Sequence, residues 1–139
     1  MFLPLDNEST KNEVCRGEYN LTVDNGPRLR LPKEIVKSLI EHKVKILWVY
    51  YDPSGPRLIF CPDKFRDTYL KIAEACFPEN MDIQEAYRTY ICTGKPWVIK
   101  NHGKISVGTF KLNEKKLERG NQVNLLGIGQ WYELSKNGN

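Results

Sequence analysis

The stretch Tyr19-Asn20-Leu21-Thr22-Val23-Asp24-Asn25-Gly26-Pro27-Arg28-Leu29-Arg30-Leu31-Pro32 decides the reading of the fold. Tyr19, Leu21 and Val23 alternate with polar residues, the pattern of a half-buried strand. Asp24-Asn25-Gly26-Pro27 is a turn signal, since Gly and Asn tolerate left-handed backbone and Pro fixes its own φ. Alternation then resumes, with Leu29 and Leu31 on one face and Arg28 and Arg30 on the other. Pro32 stops the strand and suits the first turn of a helix.

Working outward, Ile35, Val36, Leu39 and Ile40 recur at helical spacing. Lys45 to Tyr51 is an apolar, β-branched and aromatic run, hence a buried strand. Asp52-Pro53-Ser54-Gly55 is a turn, and Arg57 to Phe60 is its return strand. Pro62 and Asp63 open a long helix with the stripe Phe65, Tyr69, Ile72 and Cys76. Asp82 and Glu85 resemble a capping box for a helix whose buried face is Ile83, Ala86, Tyr87, Tyr90 and Ile91. Trp97 to Ile99 is a strand and Lys100-Asn101-His102-Gly103 a turn. Lys104-Ile105-Ser106-Val107 alternates again. Asn113 is expected to cap a short helix containing Leu117, with Gly120 as its stop. Gln122 to Ile128 and Trp131 to Leu134 close the chain as two strands around a Gly127–Gly129 turn.

The order of elements repeats. Arg28 and Lys104 are 76 residues apart, Ile46 and Val123 are 77 apart, and Cys15-x-Gly17 and Cys92-x-Gly94 precede the two opening strands. The expected organisation is a flexible polar arm over 1–13, a first repeat over 14–80 and a second over 81–139. The expected class is mixed α+β, mainly β.

Composition bounds the partners. The 139 residues carry 21 Lys and Arg against 17 Asp and Glu, a formal charge of +4 that permits a polyanion without demanding one. A chain of this length buries a core without disulfide or metal support. The longest apolar run is too short to span a bilayer, and no signal-peptide core develops at the N-terminus, so the chain reads as intracellular. Cys15, Cys61, Cys76 and Cys92 form no Cys-x-x-Cys pair and read as small buried hydrophobes.

No enzyme motif is present. The two histidines, His42 and His102, have no metal-ligand or nucleophile context, and Gly127-Ile128-Gly129 lacks the third glycine of a dinucleotide site. No catalytic residue, cofactor, metal or small-molecule substrate is expected. The cations are more informative. Arg28 and Arg30 share a strand face, Lys33 and Lys37 follow on the helix, and Lys100, His102 and Lys104 surround the equivalent second turn. Lys111, Lys115, Lys116 and Arg119 come next. Two related turns carrying cations suit successive phosphates or groove edges of a duplex. A solvated sheet face is the simpler alternative.

The strand-turn-strand Val23-Asp24-Asn25-Gly26-Pro27-Arg28-Leu29-Arg30-Leu31-Pro32-Lys33-Glu34 resembles the Asp-x-x-x-Arg repeat of MraZ, a bacterial transcription regulator family of the AbrB-like superfamily. Leu58-Ile59-Phe60-Cys61-Pro62-Asp63-Lys64-Phe65 is similar to the family's strand end and following helix, and Ala86 to Gly94 to its helix and small-Gly segment. Val123 to Leu134 is similar to its closing Val-x-Leu-x-Gly-x-Gly and aromatic-Glu strand. The resemblance covers about residues 14 to 136. It implies a double-hairpin β-barrel built from two tandem repeats with flanking helices, assembly into a homo-oligomeric ring, and binding to double-stranded DNA. That DNA would be short, repeated, G-rich elements upstream of the division and cell-wall operon, bound as a repressor, so the protein would be cytoplasmic and nucleoid-associated. The family's turn contacts carry over to Asp24 and Arg28 in repeat one; together with the cations around both turns, the expected DNA-binding residues are Asp24, Arg28, Arg30, Lys33, Lys100, His102 and Lys104. Lys100 and Lys104 stand where the family has Asp and Arg, Pro27 where it has Gly, and Gly108 where it has Pro. The other reading is a non-enzymatic AbrB-fold interaction or antitoxin-like module with decayed DNA binding. In either case aromatics such as Trp48, Tyr50 and Trp131 are expected to be available to a neighbour.

Overall fold

A computed structural model describes residues 14–99 and 103–137. The expected arm at 1–13 lies outside them, as do Lys100 and His102. The fold is mixed α+β and mainly strands. Its first elements are β1 (Glu18–Thr22), β2 (Arg28–Arg30), helix α1 (Lys33–Glu41), β3 (Ile46–Tyr51) and β4 (Leu58–Pro62). A 3-10 turn (Asp63–Phe65) leads into α2 (Arg66–Ala75), followed by α3 (Ile83–Tyr90). The chain continues through β5 (Lys95–Val98), β6 (Lys104–Ser106), β7 (Lys111–Leu112), β8 (Lys115–Lys116), β9 (Gln122–Gly127) and β10 (Tyr132–Lys136). No described helix is long and apolar enough to cross a membrane.

Six strands form one antiparallel sheet in the order β1-β9-β10-β4-β3-β5. Each end of the chain's alternating pattern lends a strand to the opposite hairpin: β1 pairs with β9 and β5 with β3. A shift of 76 residues carries one ladder onto the other, because Thr22 opposite Gln122 maps onto Val98 opposite Ile46. The relation extends to the short ribbon of β2 and β6, where Leu29 lies opposite Ile105, its own counterpart 76 residues on. The pairing registers therefore carry the repetition that the element order predicts.

The expected closed barrel does not form. β2 and β6 pair only with each other in a separate two-stranded ribbon, and β7 and β8 make a second one. β2 is cut short by the Gly26-Pro27 turn before it and Pro32 after it. Three residues give too few ladder bonds to join β1 to β5 and close the sheet.

The core lies between the sheet, the ribbon and the helices. Leu29 and Ile105 point inward and are 0% and 1% exposed, next to Ile35 and Leu39 of α1 in the same apolar cluster. Burying each stabilises by about 1.5–3 kcal/mol relative to exposure. β4 is buried along its whole length. Tyr69 of α2 stacks 5.2 Å from the Tyr50 ring and meets Trp131 edge-on at 5.2 Å. Tyr50 and Trp131 are thus buried inside the molecule rather than left for a neighbour. Trp48 is half-buried under the Arg66 guanidinium, 3.9 Å from its ring, and Arg66 Nε donates to Tyr50 Oη at 2.6 Å.

Three other local expectations change. The segment after Asn113 is not a helix: Asn113 and Glu114 adopt φ 55° and 66° and turn β7 into β8. Only Leu117 is apolar between Asn113 and Gly120, so a helix there would bury one side chain, whereas the hairpin buries both Leu112 and Leu117. In α3 the cap holds, with Asp82 accepting from Gln84 and Glu85 N–H at 3.1 and 3.3 Å. Its expected buried face reduces to Ala86, and Ile83 is 59% exposed. Cys15 and Cys61 are buried as expected, while Cys92 is exposed.

Glu133 of β10 is half-buried, and its Oε2 has no hydrogen-bond partner among the described residues. Burial raises its carboxyl pKa, Arg57 lowers it and Asp52 raises it. A carboxyl whose pKa is higher folded than unfolded holds its proton more tightly in the native state. Its contribution is most favourable at acid pH and is lost as pH rises above 4.5. Glu133→Gln should therefore raise stability at pH 7 by up to about 1 kcal/mol, a gain limited by solvent screening, and have no advantage near pH 4. Urea midpoints across pH check this.

Candidate nucleic-acid interface

The ribbon is built by its sequence. Gly26, at φ +98°, lets the chain turn tightly enough for Asp24 N–H to donate to the Arg28 carbonyl at 2.7 Å. Arg28 N–H donates back to the Asp24 carbonyl at 3.2 Å. On the other side Arg28 pairs with Ser106, Leu29 with Ile105 and Arg30 with Lys104. Strand alternation sends Leu29 and Ile105 into the core and turns the other four outward. Arg28 and Arg30 are exposed; Lys104 and Ser106 are half-buried. The Cα atoms of the two arginines stand about 7 Å apart.

The two departures at Pro27 and Gly108 meet in space. A Cβ on Gly108 would lie 2.9 Å from Pro27 Cδ, so glycine there leaves room for the proline ring. The Pro27 carbonyl accepts from Val107 N–H at 3.1 Å, which fixes the turn against β6. Leu31 N–H donates to the Gly103 carbonyl at 3.0 Å and extends the ribbon toward α1. Lys33, the first residue of α1, is exposed just beyond.

Asp24 is linked to Arg28 through main-chain atoms at the turn, and among the described residues its carboxylate makes no ion pair with that guanidinium. Asp24 lines a groove of about 320 Å³ together with Thr22, Asn25, Lys104 and Arg119. Arg28, Arg30, Lys33 and Lys104 have no salt bridge and no side-chain hydrogen bond among the described residues. Arg30 directly opposite Lys104 places two like charges side by side, an arrangement that costs stability in the absence of an anion.

Of the sequence-predicted residues, the structure brings Asp24, Arg28, Arg30 and Lys104 to one ribbon and its adjoining groove, with Lys33 at the ribbon's end. One member of this surface was not singled out by the sequence pattern: Ser106 carries no charge, and only the 76-residue correspondence marks it as the counterpart of Arg30. Arg119, one of the cations that follow the second turn in sequence, joins the surface through the groove it shares with Lys104. In comparison with known proteins, no family model and no curated protein matches the sequence.

Proposed function

We propose that this protein is a sequence-specific DNA-binding transcriptional regulator similar to MraZ, without enzymatic activity. In this reading it acts in the nucleoid as a homo-oligomer and represses through repeated short G-rich elements at the division and cell-wall operon. The observation that carries the proposal is the β2–β6 ribbon, whose outward face holds Arg28, Arg30 and Lys104 with no ion-paired carboxylate among the described residues. A two-stranded ribbon fits the major groove of B-DNA. Arg reads guanine bidentately through O6 and N7, which suits Arg28 and Arg30 to a G-rich element. Lys is a point charge, which suits Lys104 to a phosphate. The interleaved pairing of β1 with β9 and β5 with β3 supports the AbrB-like part of the reading. Lys100 and His102 belong to the proposed surface by their place in the second turn of the sequence.

The test is fluorescence anisotropy with a duplex of tandem G-rich repeats and a scrambled duplex, each titrated against salt. Tighter binding to the repeats with a steep salt slope supports a working regulator. Lys104→Ala should lower affinity for both duplexes alike and reduce the salt slope by about one. Binding that is weak and shows no preference favours the other reading, an interaction or antitoxin-like module. One feature already leans that way: Lys104 replaces the arginine fork in the second repeat, so bidentate recognition survives only in the first.

A further inference from the structure

We propose that the β7–β8 hairpin, with Arg119 and Lys136, is a second DNA-contacting surface that grips backbone phosphates beside the ribbon and reads no sequence. The inference rests on the DNA-binding reading above and extends it to a part of the molecule that the Asp-x-x-x-Arg turns do not include.

Three observations meet here. First, Lys111 lies directly opposite Lys116, both exposed, with no ion pair among the described residues. Directly opposed like charges destabilise a ribbon. The hairpin turns through Asn113 and Glu114 at φ 55° and 66°, the left-handed pair that a two-residue loop of this kind requires. Second, the hairpin is anchored. Leu112 and Leu117 are 2% and 0% exposed, and Lys111 N–H donates to Tyr51 Oη at 2.9 Å. The Cα atoms of Lys111 and Lys116 are therefore held opposite each other on a buried support.

Third, the basic surface runs on to the ribbon. Lys115, Lys116 and Lys136 line a groove of about 320 Å³ with Glu118 and Asn121. Arg119 lines the neighbouring groove with Lys104 and Asp24. Lys116 and Arg119 are three residues apart, so their Cα atoms are within about 11 Å. Between Lys111 and Arg119 four cations outnumber two carboxylates, Glu114 and Glu118. The equivalent segment of the first half folds as α1, so the second half alone presents this hairpin. Its residues are lysines with one arginine, point charges that match phosphates better than base edges. The ribbon would select the sequence and the hairpin would add affinity for any duplex.

The double variant Lys115→Gln/Lys116→Gln changes two exposed side chains and spares the buried leucines. In the anisotropy experiment it should reduce the salt slope by about two. Affinity at physiological salt should fall on the order of tenfold on both duplexes, with the preference for the repeats unchanged. A charge-matched control, Lys71→Gln/Lys95→Gln, removes two exposed lysines elsewhere and should leave the slope close to wild type. An unchanged slope for the hairpin variant, with wild type still selecting the repeats, overturns this inference and leaves the regulator reading intact. An equal loss in the control variant also overturns it, since net charge alone would then explain the effect. Failure of the wild-type protein to bind either duplex overturns the regulator reading and this inference together.

Discussion

Replacing Arg28 with alanine is expected to weaken binding to tandem G-rich repeats by about 1–3 kcal/mol and to erase much of the preference over a scrambled duplex. Arg28 is exposed at the start of β2, where the main-chain bonds to Asp24 and the pairing with Ser106 fix its backbone. The neighbouring Leu29 supplies the buried anchor, so trimming Arg28 leaves the ribbon's packing untouched. A thermal midpoint close to wild type would confirm that the loss belongs to recognition. Arg28→Lys separates charge from geometry. It keeps the cation and loses the planar fork, so scrambled-duplex affinity should be preserved while the preference falls. Equal binding of wild type, Arg28→Ala and Lys104→Ala to both duplexes would remove the ribbon from any role in DNA binding.

Gly127→Ala is expected to destabilise the fold by about 3 kcal/mol. Gly127 ends β9, and a Cβ there would lie 2.5 Å from Arg16 N and 2.6 Å from both Arg16 Cα and Cys15 C. All three are backbone atoms, which cannot rotate away as a side chain can. The segment is tied down on both sides: Gly127 N–H donates to the Gly17 carbonyl at 2.8 Å and Gly129 N–H to the Cys15 carbonyl at 2.9 Å. Relieving the clash would move Val14 and Cys15 out of the core. Gly120→Ala is the contrast. No atom lies within 4 Å of its Cβ position, but φ is +88°. Its cost should be the left-handed backbone alone, about 1–2 kcal/mol. Denaturant unfolding of both variants checks the ranking, and a Gly127→Ala protein as stable as wild type would show that residues 14–17 do not pack as described.

The local patterns were legible because they depend on near neighbours. Alternation around Leu29, the Asn25-Gly26-Pro27 turn and the helical stripe of Ile35, Val36 and Leu39 each follow from side-chain period and backbone chemistry within a few residues. The same is true of the cap at Asp82. The shared face of the candidate site was legible for the same reason, as Arg28 and Arg30 had to lie on one face once Leu29 was buried. The misreadings lay where a short segment's own preference was weak. Around Leu117 one apolar residue could not enforce a helix, and the hairpin turned through Asn113 and Glu114 instead. In α3 a helical stripe formed as expected, but little of it was covered.

By itself, then, the sequence determined the strands and turns outside the β7–β8 hairpin, the first-repeat cations and a 76-residue recurrence. Tertiary structure alone decided what each strand meets. It set β1 against β9, placed Lys104 opposite Arg30, closed Tyr50 and Trp131 under Tyr69, and left the sheet open. The physical reason is range. Periodicity and φ preferences act over a few residues and are written in order along the chain. Pairing register and burial depend on residues brought together across some 76 positions, where competition for the core selects the partner.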